Sequence, residues 1–315
     1  ADLTIMEESA EFLEKVKTGA KLPMFTSCCP GWIQHVENRH PHLMPQVSTC
    51  GSPMAMFGSL IRKQFAGENV YSVAIMPCTG KKFEAARPEL EKDGERLIDL
   101  VITTSELCDM IEEAGIDFAV LPDEEPDAPL GDYTGAGVIF GVTGGVMEAA
   151  VRTMSAVKNQ DPRPMPPLTP VRGMEFIKEA TVRLGDLGDI CIAVVHECAN
   201  VAKVIEMVRN GTCPYHFVEV MACPGGCVGG GGTTRGVWGR NTAKRQQGIY
   251  AIDKVKKIRA SYENPEVIRL YQEYLGSPGS ERAHELLHCE YKPWKKRERK
   301  LTGPEILESV ELSPE

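Results

Sequence analysis

The stretch that decides the fold and the site of this chain reads Met221-Ala222-Cys223-Pro224-Gly225-Gly226-Cys227. An apolar run over residues 216–221 leads into it and predicts a buried strand, so both cysteines follow the carboxyl end of that strand. Proline and glycine end the strand, and glycine lets backbone amides approach a bulky group closely. Two thiolates in such a turn indicate a metal site, although Cys-x3-Cys alone is weak evidence for one.

Two further cysteine motifs also stand beside turn residues. One is Thr26-Ser27-Cys28-Cys29-Pro30-Gly31-Trp32. The other follows the apolar run 71–76 and reads Met76-Pro77-Cys78-Thr79-Gly80-Lys81-Lys82-Phe83-Glu84. Neither the paired Cys-x2-Cys of zinc sites nor the cysteine run of ferredoxins occurs. One iron–sulfur cluster assembled from distant single cysteines therefore fits better than zinc. The remaining cysteines are interpreted as buried small side chains: Cys50, Cys108, Cys191, Cys198, Cys213 and Cys289.

Composition and charge exclude several classes of function. The chain has 315 residues, eleven cysteines and a formal net charge of −9, which argues against nucleic acid as a general partner. No apolar run is long enough for a membrane span, and no secretory leader is visible, so we expect a cytoplasmic, reducing compartment. In such a compartment cysteines are more often metal ligands or catalytic groups than disulfides.

Strands alternate with helices along the chain, which predicts an α/β architecture with sites at the strand ends. Predicted helices cover residues 4–16, 32–39, 53–66, 105–114, 146–157 and 199–210; predicted strands cover 71–76, 98–103, 190–195 and 216–221. A capping box is expected at residues 4–7, a loop at 121–132 and a proline-rich linker at 158–170. We divide the chain into a first lobe with two cysteine motifs (1–132), a second lobe with Cys-x3-Cys (133–232) and a helical region with a basic tail (233–315).

The first predicted helix carries Glu8, Glu11 and Lys15 at spacings of three and four. Side chains at these spacings share one helical face. Taken alone, the pattern is typical of a solvated face with one ion pair.

Together, the three cysteine motifs resemble the signature motifs of the [FeFe]-hydrogenase catalytic domain, and they occur in the same order. Further similarity covers residues 97–104, 135–150 and 282–288. The resemblance implies a two-lobed iron hydrogenase-like α/β fold, with mixed sheets flanked by helices and the cluster between the lobes. It also implies an oxidoreductase of the ferredoxin hydrogenase type, which interconverts hydrogen with protons and electrons.

The cofactor implied by this resemblance is the H-cluster. It joins a [4Fe–4S] cubane to a diiron subcluster carrying CO, cyanide and a bridging dithiolate amine. By resemblance, the cubane ligands are Cys29, Cys78, Cys223 and Cys227, and Cys227 also bridges to the diiron unit. Ser52 and Lys81 would donate hydrogen bonds to the cyanides. The apolar wall around the diiron unit would comprise Pro53, Met76, Phe140 and Met221, for which ordinary core packing is the alternative interpretation.

The resemblance also implies a route for protons. Cys28 would be the first proton carrier, because its neighbour in the pair is the cluster ligand. Behind it the resemblance places Glu11, Ser48 and Glu8, with Lys15 near the outer end where arginine is commoner in the family. Each group must lie within hydrogen-bond reach of the next, directly or through one water.

The expected partners are H2 and protons, maturation proteins, and a ferredoxin or iron–sulfur electron-transfer subunit, because the chain has no other cluster motif. Family catalytic domains carry a further segment before the position of Ala1, and a separate chain is one possible source of it. The basic run 292–300 predicts either a solvated tail or a docking site for an acidic partner. Two alternatives remain: a non-catalytic iron–sulfur relative (cluster assembly or scaffold) and an H2-sensing hydrogenase. The presence of Cys28, Ser52, Lys81 and Met221 argues against the first alternative. Cys28, as part of the paired cysteines, argues against the second.

Overall fold

The structure is a computed structural model that describes residues 1–92, 94–127, 129–159, 167–234 and 240–292. Residues 160–166 of the predicted linker and 293–300 of the basic run lie outside the described residues. In the part that is described, no helix has the length and apolar character needed to cross a membrane.

Helices and strands alternate along most of the chain, as predicted. The helices are α1 Asp2–Thr18, α2 Pro30–Arg39, α3 Pro53–Gln64, α4 Gly80–Ala85, α5 Thr104–Glu113, α6 Gly135–Ile139, α7 Gly145–Asn159, α8 Cys198–Arg209, α9 Arg240–Val255, α10 Pro265–Leu270 and α11 Glu281–Leu287. The strands are β1 Met24–Phe25, β2 Val73–Met76, β3 Glu91–Lys92, β4 Glu95–Arg96, β5 Leu100–Thr103, β6 Ile177–Arg183, β7 Asp189–His196 and β8 Phe217–Met221. The predicted α/β architecture is confirmed.

The main sheet has four strands in the order β1-β8-β7-β6. β1 and β7 both run parallel to β8, whereas β6 is antiparallel to β7. Because parallel strands end at the same edge of a sheet, the turns after β1, β7 and β8 lie side by side. β1 belongs to the predicted first lobe and pairs with β8 of the predicted second lobe. The domain boundaries at residues 132 and 232 stay a prediction.

Helices cover both faces of this sheet, since successive strand side chains point to opposite faces. Val194 lies in the core on the side of α1 and α7, where the rings of Phe12 and Phe217 stack with centroids 4.8 Å apart. Val195 lies in the core on the side of α2 and α8, beside the buried ring of Trp32. Burial of this kind stabilises the fold by roughly 1.5–3 kcal/mol per large apolar side chain.

A second, parallel sheet contains only β2 and β5, with Met76 opposite Thr103. Ala74 packs towards Ile98 on its inner face. On its outer face Val73 and Ile75 are 47% and 51% exposed. The apolar run 71–76 indicates a buried strand; the strand is present as β2, but it is not buried, because one face of this two-stranded sheet is open.

The capping box expected at residues 4–7 is also wrong. Helix α1 begins two residues earlier, with Ala1 as its N-cap residue and no side-chain cap. Thr4 donates instead to Sδ of Met56 at 3.2 Å, and the carboxylate of Glu7 accepts from the hydroxyl of Tyr271. Both side chains point into the core, where they satisfy tertiary contacts rather than the helix terminus.

Strand β6 was absent from the prediction, because its charged residues obscure the alternation. Lys178 is buried in the middle of it, and its ammonium donates to the carbonyl oxygens of Thr143 and Gly173, each at 3.1 Å. Burial lowers the pKa of Lys178 to about 8. The lysine is thus a structural link between the sheet and the loops beside the Cys-x3-Cys turn.

Candidate functional site

The cysteines of the three motifs all stand where strands end. Cys29 follows β1 as the N-cap residue of α2, Cys78 follows β2, and Cys223 and Cys227 follow β8. Burial, together with the neighbouring thiolates of Cys29 and Cys78, raises the pKa of Cys223 to about 11 and that of Cys227 to about 12. The four thiols are therefore close enough to repel one another when ionised, as ligands of one group would be.

Glycines bring the turns together. Gly226 has a φ of +90°, and a Cβ there would lie 2.7 Å from Sδ of Met221. Gly230 packs so closely that a Cβ would lie 2.1 Å from the carbonyl oxygen of Pro77, beside Cys78. Without a side chain at these two positions, the turn after β8 can approach the turn after β2.

The donor set fits a [4Fe–4S] cluster. All eleven cysteines are free thiols, and four of them converge from three motifs, which matches the four-cysteine ligation of such clusters. The backbone N–H of Ala222 donates to Sγ of Cys29 at 3.3 Å, a contact that stabilises a thiolate. Cys198 lies near this group as well, because the charge of Cys29 raises the pKa of Cys198 and the charge of Cys198 raises the pKa of Cys223.

Lys81 and Ser52 meet at a residue that the sequence analysis did not single out. The ammonium of Lys81 donates to the carbonyl oxygen of Cys28 at 3.2 Å and to Oε2 of Glu84 at 2.6 Å, and the hydroxyl of Ser52 donates to Oε1 of Glu84. All three side chains are buried. Burial opposes the charge of Lys81, but Glu84 raises its pKa above the ordinary value. The spacing of three residues on α4 was the signal that could have revealed Glu84.

His196 is a second residue that was missed. Its Nδ1 accepts from the backbone N–H of Gly225 at 3.2 Å, and its Nε2 donates to the carbonyl oxygen of Met174 at the same distance. This pairing requires the neutral ring, and burial lowers the pKa of His196 accordingly. The histidine therefore holds the turn between Cys223 and Cys227. The sequence signal that could have revealed His196 was its position as a lone histidine directly after the predicted apolar strand 190–195.

The four residues proposed as an apolar wall fall into two groups. Met221 and Phe140 pack into the core that also contains the side chain of Cys28. Pro53, the first residue of α3, and Met76, the last of β2, line a cavity of about 450 Å³. Core packing is thus observed for the first pair, and an open apolar cavity for the second.

The acidic face of α1 lies inside the protein. Glu8 has no exposed surface, and among the described residues neither of its carboxylate oxygens has a hydrogen-bond partner. Burial raises the pKa of Glu8 to about 8, and the charge of Glu11 adds to this shift. The interpretation of this face as solvated is therefore wrong for Glu8, because α1 packs between the sheet and α3.

Glu11 lies further out and is fully paired. Its Oε2 accepts from the hydroxyl of Ser48 at 2.6 Å, and its Oε1 lies 2.8 Å from Nζ of Lys15. Burial opposes its charge, but Lys15 and Ser48 hold the pKa of Glu11 below its ordinary value. The side chains of Glu11 and Lys15 are 11% and 18% exposed, so solvent reaches this end.

The order along this face runs outward from Cys28. Burial raises the pKa of Cys28 well above its ordinary value, and the charge of Glu8 is the next contribution. From residue 8 to residue 15 the helix advances about 10 Å towards solvent. The geometry places Glu8 innermost, then Ser48 and Glu11, and Lys15 at the surface, which reverses the positions that the resemblance gave to the two glutamates.

Comparison with known proteins identifies the family and the fold of this chain. The model of the iron-only hydrogenase large subunit, C-terminal domain, matches residues 1–231, and that of the iron hydrogenase small subunit matches residues 240–294. An [FeFe]-hydrogenase structure from Chlamydomonas reinhardtii superposes with a TM-score of 0.80 at 40% identity, covering 93% of this chain and 82% of that one. The expected iron hydrogenase fold is therefore confirmed.

Curated relatives are similar over nearly all of this chain. The NADP-reducing hydrogenase subunit HndD of Solidesulfovibrio fructosivorans is 44% identical over 92% of this chain, and iron hydrogenase 1 of Clostridium pasteurianum is 43% identical over 93%. The chain spans 52% and 53% of their lengths. Cytosolic iron-sulfur assembly component 3 of Rattus norvegicus is 31% identical over 92% of this chain and 64% of its own length. The chain belongs to the iron-only hydrogenase large subunit family.

Proposed function

We propose that this chain is the catalytic part of an [FeFe]-hydrogenase, which interconverts H2 with protons and electrons. The observation that carries the proposal is Glu8, a buried carboxyl group without a partner between Cys28 and the Ser48–Glu11 pair. An isolated buried carboxyl group is costly, and such groups cluster at functional sites. With a pKa of about 8, Glu8 can both take up and release a proton near neutral pH.

The cubane ligands are Cys29, Cys78, Cys223 and Cys227. When bound, the H-cluster supplies the cleavage and formation of the H–H bond and the exchange of electrons. Its CO, cyanide and dithiolate amine ligands are part of the proposal. Lys81 and Ser52 lie on one side of this site and can turn from Glu84 to donate to anionic ligands.

The protein moves protons along one face of α1. Cys28 holds a proton as a neutral thiol, because burial and the charge of Glu8 oppose its ionisation. Glu8 takes that proton and gives it to the Ser48 hydroxyl, which lies close enough to lower the pKa of Glu8. Ser48 releases a proton to Glu11, to which its hydroxyl is hydrogen-bonded. Lys15 keeps Glu11 ionised and ready to accept the proton, and solvent at this end removes it. In the direction of H2 formation the same groups carry protons inward.

Electrons reach or leave the cubane through a partner. We propose a ferredoxin or an iron–sulfur subunit, consistent with a relative named as a subunit of an NADP-reducing hydrogenase. Loading of the diiron unit requires maturation proteins. The basic run 292–300 stays a candidate docking site for an acidic partner.

The test is reconstitution of the chain with a [4Fe–4S] cluster and a diiron precursor, followed by H2 evolution from a reduced dye. We expect turnover together with infrared bands of bound CO and cyanide. Absence of both would reject the hydrogenase assignment in favour of the cluster-assembly alternative, to which the similarity is lower at 31% identity. Bands with only trace turnover would favour the H2 sensor.

A further inference from the structure

At the outer end of the relay, Glu11 lies beside two side chains that the proposed function does not use, Cys50 and His288. Glu11, Cys50 and His288 place one potential ligand atom each within 4.8 Å of the others. Sγ of Cys50 lies 3.5 Å from Oε2 of Glu11 and 4.0 Å from Nε2 of His288. The three residues come from α1, the segment before α3 and the end of α11, and an isolated bridge between Cys50 and His288 joins the last two.

We propose that Glu11, Cys50 and His288 bind a thiophilic divalent cation of the zinc class, and that this cation blocks the proton relay at its outer end. Zinc takes tetrahedral sets of cysteine, histidine and carboxylate ligands. Its usual bond lengths put the ligand atoms of such a set about 3.3–3.6 Å apart. The separations of 3.5 and 4.0 Å from Sγ of Cys50 need only a small contraction, and Glu11 and His288, whose ligand atoms lie within 4.8 Å of each other, must also move closer.

Two neighbouring residues, Thr49 and Glu7, make this group suitable for binding a metal. Nδ1 of His288 is held by the hydroxyl of Thr49 at 2.7 Å, which fixes the ring and leaves Nε2 towards the site. Outer contacts of this kind orient metal-binding histidines. Oε2 of Glu7 lies 3.1 Å from the same Nε2 and can serve as a fourth ligand. One thiolate and one or two carboxylates would then neutralise the divalent charge.

The cation can reach the site from solvent, and its binding would remove a carboxylate that the proton relay needs. Glu11 and Lys15 are partly exposed, so the ion enters where their ion pair opens. Once bound, it withdraws Glu11 from Ser48 and leaves no carboxylate to exchange protons with solvent. This inhibitory step rests on the proposed function, whereas metal binding itself does not. Cys50 must lose its proton on binding, and burial raises its pKa well above the ordinary value, so affinity should rise with pH.

The binding test uses the cluster-loaded chain under anaerobic conditions, titrated with Zn²⁺ by calorimetry and with Co²⁺ by absorption. We expect one site, a thiolate-to-cobalt charge-transfer band, and an unchanged iron content. Cys50→Ala should remove the band and weaken Zn²⁺ binding at least tenfold, and His288→Gln should weaken it without removing the band. The matched control Cys108→Ala, on α5, should behave as the parent protein. Absence of binding, absence of the thiolate band, or equal Zn²⁺ affinity in Cys50→Ala would overturn the proposed site.

The inhibition test compares H2 turnover with and without Zn²⁺ in each protein. The parent should lose turnover as the site fills, whereas Cys50→Ala should need at least tenfold more Zn²⁺ for the same fractional loss. Full turnover at saturating Zn²⁺ would overturn the inhibitory step. A parent protein with no turnover before any Zn²⁺ is added would count against the proposed function instead, and the calorimetric and cobalt results would still decide the metal site.

Discussion

Oγ of Ser48 donates a 2.6 Å hydrogen bond to Oε2 of Glu11 and joins the segment before α3 to the outer part of α1. The bond links a buried hydroxyl to a carboxylate that solvent can reach. Glu8 lies one turn further inward on the same helix, without a partner of its own among the described residues. From this arrangement we predict how substitutions of the relay residues affect H2 turnover, stability and pH dependence.

Glu8→Gln keeps the shape of the side chain but removes its proton exchange. Because proton transfer by a positioned side chain typically contributes 10²–10⁴-fold, we expect H2 turnover to fall by about two orders of magnitude or more. The infrared bands of CO and cyanide should stay as in the parent. The measurement is dye-linked turnover normalised to those bands, and near-parental activity would remove Glu8 from the relay.

Glu8 should also make stability depend on pH. Its pKa is about 8 in the folded chain and near 4.5 when unfolded, so between these values the unfolded chain releases a proton that the folded chain keeps. The contribution of Glu8 to the free energy of unfolding therefore falls as pH rises from 4.5 to 8, by up to about 1.4 kcal/mol per pH unit. Glu8→Gln should gain stability relative to the parent across this window, as measured by denaturant unfolding. A pH-independent difference would contradict the raised pKa.

Lys15→Met should alter the pH profile of H2 oxidation. Burial opposes the charge of Glu11, and Lys15 at 2.8 Å is the main group that holds its pKa low. Without the ammonium the pKa of Glu11 rises, so the acid limb of the profile should move to higher pH. Lys15→Arg keeps the charge and should leave the limb in place. Identical profiles for the methionine variant and the parent would show that the outer step does not pass through Glu11.

Glu84→Ala should leave Lys81 buried without its carboxylate. Breaking one side of a buried ion pair costs about 3–5 kcal/mol, which should appear as a lower free energy of unfolding. The double variant Lys81→Met/Glu84→Met should recover most of this loss. Lys82→Met, which breaks an exposed pair with Glu106 nearby, is the control and should change stability little. An equally small effect of Glu84→Ala would mean that Lys81 finds another partner.

His196→Ala should loosen the turn that carries Cys223 and Cys227. The variant loses the contacts to Gly225 and Met174, and lost contacts behind metal ligands typically weaken metal binding by about 10–100-fold. We therefore expect roughly tenfold faster loss of iron to a chelator. His196→Gln can make both hydrogen bonds and should retain iron better. Parental iron retention in the alanine variant would assign the histidine to packing alone.

The positions of three of the four proposed cluster ligands could be predicted, because Cys78 and the Cys223–Cys227 turn each follow an apolar run that forms a strand. Cys78 and the Cys223–Cys227 turn lie at strand ends as expected, whereas Cys29 follows β1, which was not predicted. The shared face of Glu8 and Glu11 also followed from helical spacing. The sequence did not show which of the two glutamates lies deeper in the protein. Helical periodicity predicts which side chains share a face, but not which end of the helix is buried.

Other features depend on contacts between distant segments. Glu84 was missed because its role comes from Ser52, thirty-two positions away, and not from its own helix alone. Strand β6 was missed because Lys178 is buried only through carbonyl groups supplied by loops elsewhere in the chain. Cys50 looked like an ordinary buried thiol, and it is buried; its nearness to Glu11 and His288 comes from tertiary packing.

The most direct test of the central claim is Cys28→Ala in the reconstituted chain, measured by infrared spectroscopy and H2 turnover on the same sample. This change leaves the four proposed cluster ligands untouched and removes the proposed first proton carrier. We predict CO and cyanide bands of parental intensity with most of the turnover gone. Parental turnover alongside intact bands would contradict a proton route through Cys28.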